Sequence, residues 1–389
     1  LDIGSNASYR HGIELTQLNN LANDSFSFHI WTKSTSKDPG TKALLSNKTS
    51  DSNKDKGLLL TTQKNGSWMI SVSNGNGVQY DYRPTVERQP LNDGNWHQIG
   101  ISFDATRQEL RLYYDGRNVA IYYTEAIDNL NSGFPFKLGS IDGSEWQAFN
   151  GCLDHLSFCN ETKSADWFAK DFKMLTNRDN TPELPITTKQ LSVMGFNIYH
   201  GGNELGEEVG VNRIIDIIRN SGAEIAGLIE TYGSGEKIAD ALGYYFYSRS
   251  NNLSIISRYP IEETYDIFHP FNCGGALIRI SQSQKIRYVN LWLNYLPLTN
   301  EQIQKQLPSK EIEASEWKTR ATEMQQILKE ISPLYASEDI PLIVSGDFNS
   351  GSHLDWTKKA SHLYKGYIVE WPTSQLMTKA GFTDSYRYL

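Results

Sequence analysis

The chain has 389 residues, 39% hydrophobic, 21% charged and 12% aromatic, enough apolar surface to offset ordering entropy and to exclude disorder, collagen and a simple coiled coil. That length suits two or three domains of about 100–200 residues, no run reaches the ~18 apolar residues of a membrane span, and the chain opens without a signal peptide's basic and apolar regions. The net charge of -8 divides evenly, 18 Lys/Arg against 22 Asp/Glu up to residue 186 and 19 against 23 beyond it, so neither half has the basic excess of a protein that grips nucleic acid by its phosphates.

From residue 1 to about 175, short runs alternate apolar with polar residues between clusters of Gly, Asn, Asp and Ser, which is antiparallel sheet patterning. Strands are predicted over 26–33, 42–46, 57–63, 68–73, 96–104, 109–114, 118–123, 136–140 and 149–159. Between them Lys64-Asn65-Gly66-Ser67, Asn74-Gly75-Asn76-Gly77 and Asp115-Gly116 supply residues that accept positive φ. Together they imply a two-sheet, all-β sandwich. Trp31, Trp68, Trp96, Tyr113, Tyr114 and Trp146 read first as its core. No pair of His, Cys or carboxylate residues in this half has catalytic spacing, so a non-catalytic role is expected. Cys152 and Cys159 stand seven apart in a strand-like run, roughly 20 Å and on opposite faces, which excludes a mutual disulfide.

The segments Phe26-Ser27-Phe28-His29-Ile30-Trp31, Gly94-Asn95-Trp96-His97, Leu110 to Tyr114 with Asp115-Gly116, and Phe149-Asn150-Gly151-Cys152-Leu153-Asp154 resemble the laminin G-like, concanavalin-type jelly roll. The resemblance covers roughly residues 1–175. It implies a domain that binds a carbohydrate or surface-protein ligand, with Ca²⁺ as a candidate ion on its Asp and Asn loops.

Residues 176–190 lose the alternation and hold Pro182 and Pro185, which marks a linker. After Leu191 the period changes. Strands are predicted over 191–198, 224–230, 244–249, 253–257, 276–280, 286–293 and 340–348, and helices over 210–220, 235–242 and 312–332. That order indicates a layered α/β domain over 191–389.

Three of these strands are apolar until they deliver a polar group at the end. The first ends in Asn197 and runs into Tyr199-His200, the second ends in Glu230, and the third runs into Asp347-Phe348-Asn349. Strand ends collect on one edge of a layered α/β domain, where these side chains can meet. Each alone reads as a strand cap, but the ordered set suits metal-assisted phosphoryl transfer. Asn and Glu oxygens make a hard Mg²⁺ site, Asp can orient a water, and Asn can hold a phosphate oxygen.

Gly346-Asp347-Phe348-Asn349, Phe196-Asn197-Ile198, Leu228-Ile229-Glu230 and Ile255-Ile256-Ser257-Arg258-Tyr259-Pro260-Ile261 resemble the endonuclease/exonuclease/phosphatase superfamily. The resemblance spans residues 191–389 and implies a DNase I-like α/β four-layer sandwich. It makes Asn197 and Glu230 ligands of Mg²⁺ or Mn²⁺, and gives Asp347 and Asn349 the positioning of water and phosphate. The stretches 350–357, 371–374 and 381–387 look like an exported bacterial branch, in which His200 and His353 face the substrate. Extracellular or periplasmic location is the matching expectation.

Two departures stand out. Where many members carry a phosphate-binding His, this chain has Trp292, an indole that donates one hydrogen bond but exchanges no proton; Asn294 is the candidate substitute on that strand face. The family's closing R-x-D-Y and S-D-H motifs are not found downstream of Asp347, so the domain reads as lacking its C-terminal strands. The expected function is a metal-dependent phosphoesterase, cleaving phosphodiesters or phosphomonoesters and targeted by the sandwich. Its expected substrate is a phosphorylated small molecule, lipid head group or phosphorylated glycan, with nucleic acid disfavoured. The alternative is a non-catalytic binding or adhesion protein built on a pseudoenzyme domain, which Trp292 favours.

Overall fold

Alternating residues of the N-terminal half form strands β1 (Ile13–Leu15), β2 (Phe26–Lys33), β3 (Ala43–Ser46), β4 (Gly57–Thr62), β5 (Trp68–Ser73), β6 (Gln79–Tyr82), β7 (His97–Asp104), β8 (Glu109–Tyr114), β9 (Arg117–Tyr123), β10 (Phe136–Leu138) and β11 (Cys152–Cys159). The structure, a computed structural model, describes residues 12–18, 24–36, 40–141, 149–336 and 339–388. Trp146 lies outside the described residues. One sheet runs β1-β10-β3-β4-β5-β6 and the facing one begins β11-β2-β7-β8-β9, with all of these pairs antiparallel. Phe26, Phe28, Ile30, Trp68, Ile99 and Leu112 fill the space between them. This is the expected sandwich.

Alternation alone would leave one face of β2 wet. Instead Ser27, His29 and Trp31 on that face are buried. The cover is helix α1 (Ala165–Thr176), which the strand reading missed although Phe168 and Phe172 stand four apart on its buried face. Phe168 stacks 3.7 Å from Tyr113 and Phe172 5.8 Å from Trp31. Gly100 makes the approach feasible, because a Cβ there would lie 2.5 Å from the Phe168 ring. Residues 177–192 carry no regular element. They are nevertheless pinned: Asn180 Nδ2 donates to Asp115 O at 3.0 Å, Gln282 N to Pro185 O at 2.9 Å and Thr188 N to Gln284 Oε1 at 2.6 Å.

The C-terminal half contributes β12 (Val193–Asn197), α2 (Glu207–Ser221), β13 (Ile225–Ile229), α3 (Gly235–Leu242), β14 (Tyr245–Ser248), β15 (Leu253–Ser257), β16 (Ile261–Tyr265), β17 (Cys273–Arg279), β18 (Lys285–Trp292), α4 (Thr299–Gln304), α5 (Ser309–Glu316), α6 (Arg320–Tyr335), β19 (Leu342–Asp347), α7 (Pro372–Lys379) and α8 (Ser385–Tyr388). The predicted helix over 312–332 is two helices, α5 and α6, broken at 317–319. Strands β9-β14-β15-β13-β12 continue the second sandwich sheet, and β16-β17-β18-β19 form a separate sheet. Four layers result. Helices α2 and α3 pack on the outer face of the first sheet, Ile225, Ile255, Ile278 and Tyr288 pack between the sheets, and Met324, Ile327 and Ile331 of α6 pack beyond the second.

The two sheets approach closely at Gly227, where a Cβ would stand 2.4 Å from Tyr288 Oη and 2.6 Å from Asn290 Oδ1. Asn290 Nδ2 spans the gap to Leu228 O at 2.9 Å and Ser254 O at 3.1 Å. Parallel pairing of β12 with β13, and of β18 with β19, puts the C-terminal ends of these strands on one edge.

Candidate active site

Asn197 is the last residue of β12 and faces Ile229 in register, so the next residue of that neighbouring strand, Glu230, emerges beside it. From the other sheet β19 delivers Asp347. Asn197 Nδ2 donates to Glu230 Oε1 at 2.9 Å and to Asp347 Oδ2 at 3.0 Å. Its Oδ1 accepts from Tyr199 N at 2.9 Å. Three strand ends far apart in sequence thus converge on one carboxamide.

Each carboxylate has further holders. Glu230 Oε2 accepts from His200 N at 3.2 Å, and Glu230 N donates to Oδ1 of the buried Asn252 at 3.0 Å. Asp347 Oδ1 accepts from Asn349 N at 2.9 Å, while Asn349 Nδ2 donates to Leu293 O at 2.9 Å. Tyr199, His200, Glu230, Tyr232 and Asn349 all have φ between +40° and +59°. Such left-handed, non-Gly backbone costs of order 1 kcal/mol each and gathers where geometry is over-determined. Partial burial, with the Glu230 charge adding to it, raises the Tyr232 phenol above its ordinary range.

Family models match both halves of the chain: the concanavalin A-like lectin/glucanases superfamily over residues 7–168 and the endonuclease/exonuclease/phosphatase family over 194–386. Residues 194–386 are an endonuclease/exonuclease/phosphatase-family domain. Members of that family are hydrolases. An uncharacterized protein of Caenorhabditis elegans, F14F9.5, is 24% identical over 214 residues, covering 52% of this chain and 67% of the relative. Among solved structures, the Ruminococcus gnavus IT-sialidase CBM40 bound to α2,6-sialyllactose aligns at 17% identity and TM-score 0.35, over 41% of this chain and 90% of that one. A leech intramolecular trans-sialidase aligns at 18% identity and TM-score 0.36, over 52% and 29%.

Within the phosphatase-family domain the remaining predicted residues are dispersed. The His200 ring pairs with Glu204 Oε1 at 2.9 Å and stacks 4.2 Å from Tyr199, so its main-chain N–H rather than its imidazole contacts Glu230. His353 Nδ1 and Ser374 Oγ lie 2.8 Å apart; that hydroxyl donates to Trp371 O, so the imidazole is the donor. The His353 ring lines a cavity of about 330 Å³ against α7, with Phe348, Ser350 and Met377. Trp292 is the register partner of Asp347 and meets Phe271 edge-on at 5.5 Å and Tyr295 at 5.9 Å. Asn294 Oδ1 accepts from Leu296 N at 2.9 Å in a turn.

Several residues escaped the sequence reading. Asn252 anchors Glu230 and ties it to Phe271 O at 2.8 Å. Tyr199, Tyr232, Phe271 and Tyr295 are exposed aromatics along this edge. Beneath it Glu316 and Arg320 form a fully buried ion pair. Arg320 donates to Asn294 O at 3.0 Å and Pro297 O at 3.2 Å; Glu316 Oε2 accepts from Ser350 at 2.8 Å and Thr373 at 2.9 Å. Glu316 ends α5 and Arg320 starts α6, so the pair bridges the break between the two helices.

Proposed function

We propose that the phosphatase-family domain is a divalent-metal-dependent phosphoester hydrolase and that the sandwich binds carbohydrate. The observation that carries this reading is the placing of one amide nitrogen within 3.0 Å of both the Glu230 and the Asp347 carboxylates. Two carboxylates focused on a single donor form a cation-seeking point, and the donor set is hard oxygen, which fits Mg²⁺ or Mn²⁺. Glu230 and, through its carboxamide oxygen, Asn197 would hold the ion. When bound, it supplies positive charge to a phosphate oxygen or leaving group.

The chain's own groups do the positioning. Asp347, fixed by Asn197 and Asn349, has lone pairs left to orient a water for attack. Asn349 Nδ2 uses one N–H on Leu293 O, and its second can meet a phosphate oxygen. The exposed Tyr199, Tyr232, Phe271 and Tyr295 suit a ring or acyl portion beside the phosphate, which favours a lipid head group, phosphorylated glycan or other phosphorylated small molecule. For the sandwich, a cavity of about 420 Å³ lined by Trp96, Asn95, Asp154 and Arg178 offers an aromatic wall with polar groups, the mix that takes sugar rings.

The test is hydrolysis of bis(p-nitrophenyl) phosphate and p-nitrophenyl phosphate by the full chain, with Mg²⁺ or EDTA, beside Asp347→Ala and Glu230→Gln. The expected loss is about 10²-fold or more for each variant and for EDTA. Equal rates across all four arms would remove the catalytic reading. Trp292, an indole in register with Asp347, favours a second reading, a binding protein on the same scaffold. No turnover by the wild type together with retained glycan binding would establish it.

A further inference from the structure

The face of β2 that α1 covers holds a cluster that the phosphatase-family site does not use. His29 comes from β2, Asp171 from α1, and His155 from the break in β11 where the register shifts between Asp154 and Ser157. One ligating atom from each lies within 4.8 Å of the other two. His155 Nε2 is 3.1 Å from Asp171 Oδ1, and His29 Nδ1 is 3.7 Å from Asp171 Oδ2. The two imidazoles stack at 5.4 Å.

Ordinary packing does not account for this arrangement. His29 is 2% exposed, yet its Nδ1, aimed into the cluster, has no hydrogen-bond partner. Leaving such an atom unpaired costs about 1–3 kcal/mol. Asp171 is held in place by two donors to Oδ2, Trp31 Nε1 at 3.0 Å and Gln98 Nε2 at 2.7 Å, which leave Oδ1 facing His155. These are the outer contacts that orient a metal-ligating carboxylate. His155, at φ +45°, takes a left-handed backbone turn that places its ring over His29.

We propose that His29, His155 and Asp171 bind one divalent transition-metal ion of the zinc class. Two imidazole nitrogens and one carboxylate suit Zn²⁺, whereas Ca²⁺ and Mg²⁺ require oxygen-rich sets. In a tetrahedral site with ligand bonds near 2.0–2.1 Å, neighbouring ligand atoms lie about 3.3 Å apart. The 3.1 Å from His155 Nε2 to Asp171 Oδ1 is close to that spacing, His29 Nδ1 stands 3.7 Å from the other carboxylate oxygen, and one ligand atom of each residue lies within 4.8 Å of the other two, so small side-chain shifts close the set on an ion. The ion satisfies His29 Nδ1 and fastens α1 to β2 and to β11, the outermost strand of its sheet. His155 also lines the 420 Å³ cavity with Trp31 and Trp96, so the fourth coordination position opens toward it.

The experiment strips the full chain with EDTA and titrates it with Co²⁺, whose visible absorption reports coordination, then displaces it with Zn²⁺. Glu230→Gln is run alongside to silence the other candidate metal site. One equivalent of Co²⁺ should give the same spectrum in wild type and Glu230→Gln, and Zn²⁺ should abolish it. His155→Ala, at a solvent-facing ring, should weaken binding at least ~10-fold and remove the spectrum. If metal-free His155→Ala does not melt like the wild type, His155→Gln takes its place. Absence of stoichiometric binding, a spectrum that survives in the His155 variant, or one lost in Glu230→Gln but kept in His155→Ala, would overturn the proposal.

Discussion

Glu236 stands in the first turn of α3, where the phosphatase-family domain meets the sandwich, and its charge helps to raise the buried phenols of Tyr82 and Tyr122. Burial pushes its carboxyl from the ordinary 4.5 to about 7; a backbone hydrogen bond and Lys237 oppose this, and Asp81 adds to it. A shift of roughly 2.5 units at 1.36 kcal/mol each makes ionised Glu236 a liability of about 3 kcal/mol. Because the folded value lies above the unfolded one, the folded state binds the extra proton. This contribution to stability is fully present below pH 4.5 and is lost as the pH rises through 7. Glu236→Gln should therefore match the wild type at pH 4.5 and be more stable by up to about 3 kcal/mol at pH 8. The gain is reduced by the residue's remaining contact with water and by the lost interaction of a carboxylate with a helix N-terminus. Urea unfolding of both proteins from pH 4.5 to 8.5 measures it. A difference that does not vary with pH, or that favours wild type as pH rises, refutes the assignment of a buried, proton-retaining carboxyl.

Two further substitutions test the support beneath the candidate site. Arg320→Ala strands the buried Glu316 charge and should cost about 3–5 kcal/mol in urea unfolding; Arg320→Met with Glu316→Gln should recover much of it. Gly346 has φ +146° and a Cβ there would lie 2.0 Å from Leu291 O, so Gly346→Ala should push β19 off β18. A stability loss of about 1–3 kcal/mol in thermal melts is expected, with a fall in phosphoester hydrolysis because Asp347 follows immediately.

What could be read in advance depended on how local its signal was. Period-two alternation and apolar strands ending in Asn197, Glu230 and Asp347 are local patterns, and the structure brings those three side chains together as strand-end topology implies. Helix α1 carried a signal that strand patterning overrode, Ser164 before Asp166 and then Phe168 and Phe172, a start and a face of period 3.6. His29, His155 and Asp171 had no local signature. Their meeting requires β11 to pair with β2 and α1 to fold back over both, which is long-range topology. The same holds for Glu316 and Arg320, whose burial depends on the 294–297 loop, Ser350 and Thr373 closing around them.

The largest departure from sequence patterning is the seam. Residues 176–190 suggested two bodies on a tether, but β9 of the sandwich pairs with β14 of the phosphatase-family domain, Ile121 with Tyr247 and Tyr122 with Ser248. Asp240 Oδ2 accepts from Thr85 N at 2.8 Å and Thr85 Oγ1 at 2.6 Å, and Asp240 Oδ1 accepts from Gln89 Nε2 at 3.0 Å. The Arg117 guanidinium lies 4.5 Å over Tyr245, and that of Arg249 lies 4.2 Å over Tyr123, so cations from each side rest on rings of the other. A Tyr122–Phe246 contact at 5.7 Å joins the apolar layers. Sliding this seam would break sheet pairing, leave Asp240 buried without donors and separate packed rings together. The sandwich is therefore held in fixed orientation to the strand-end site, and the cavity at Trp96 and His155 keeps a set position relative to that site rather than moving on a flexible leash.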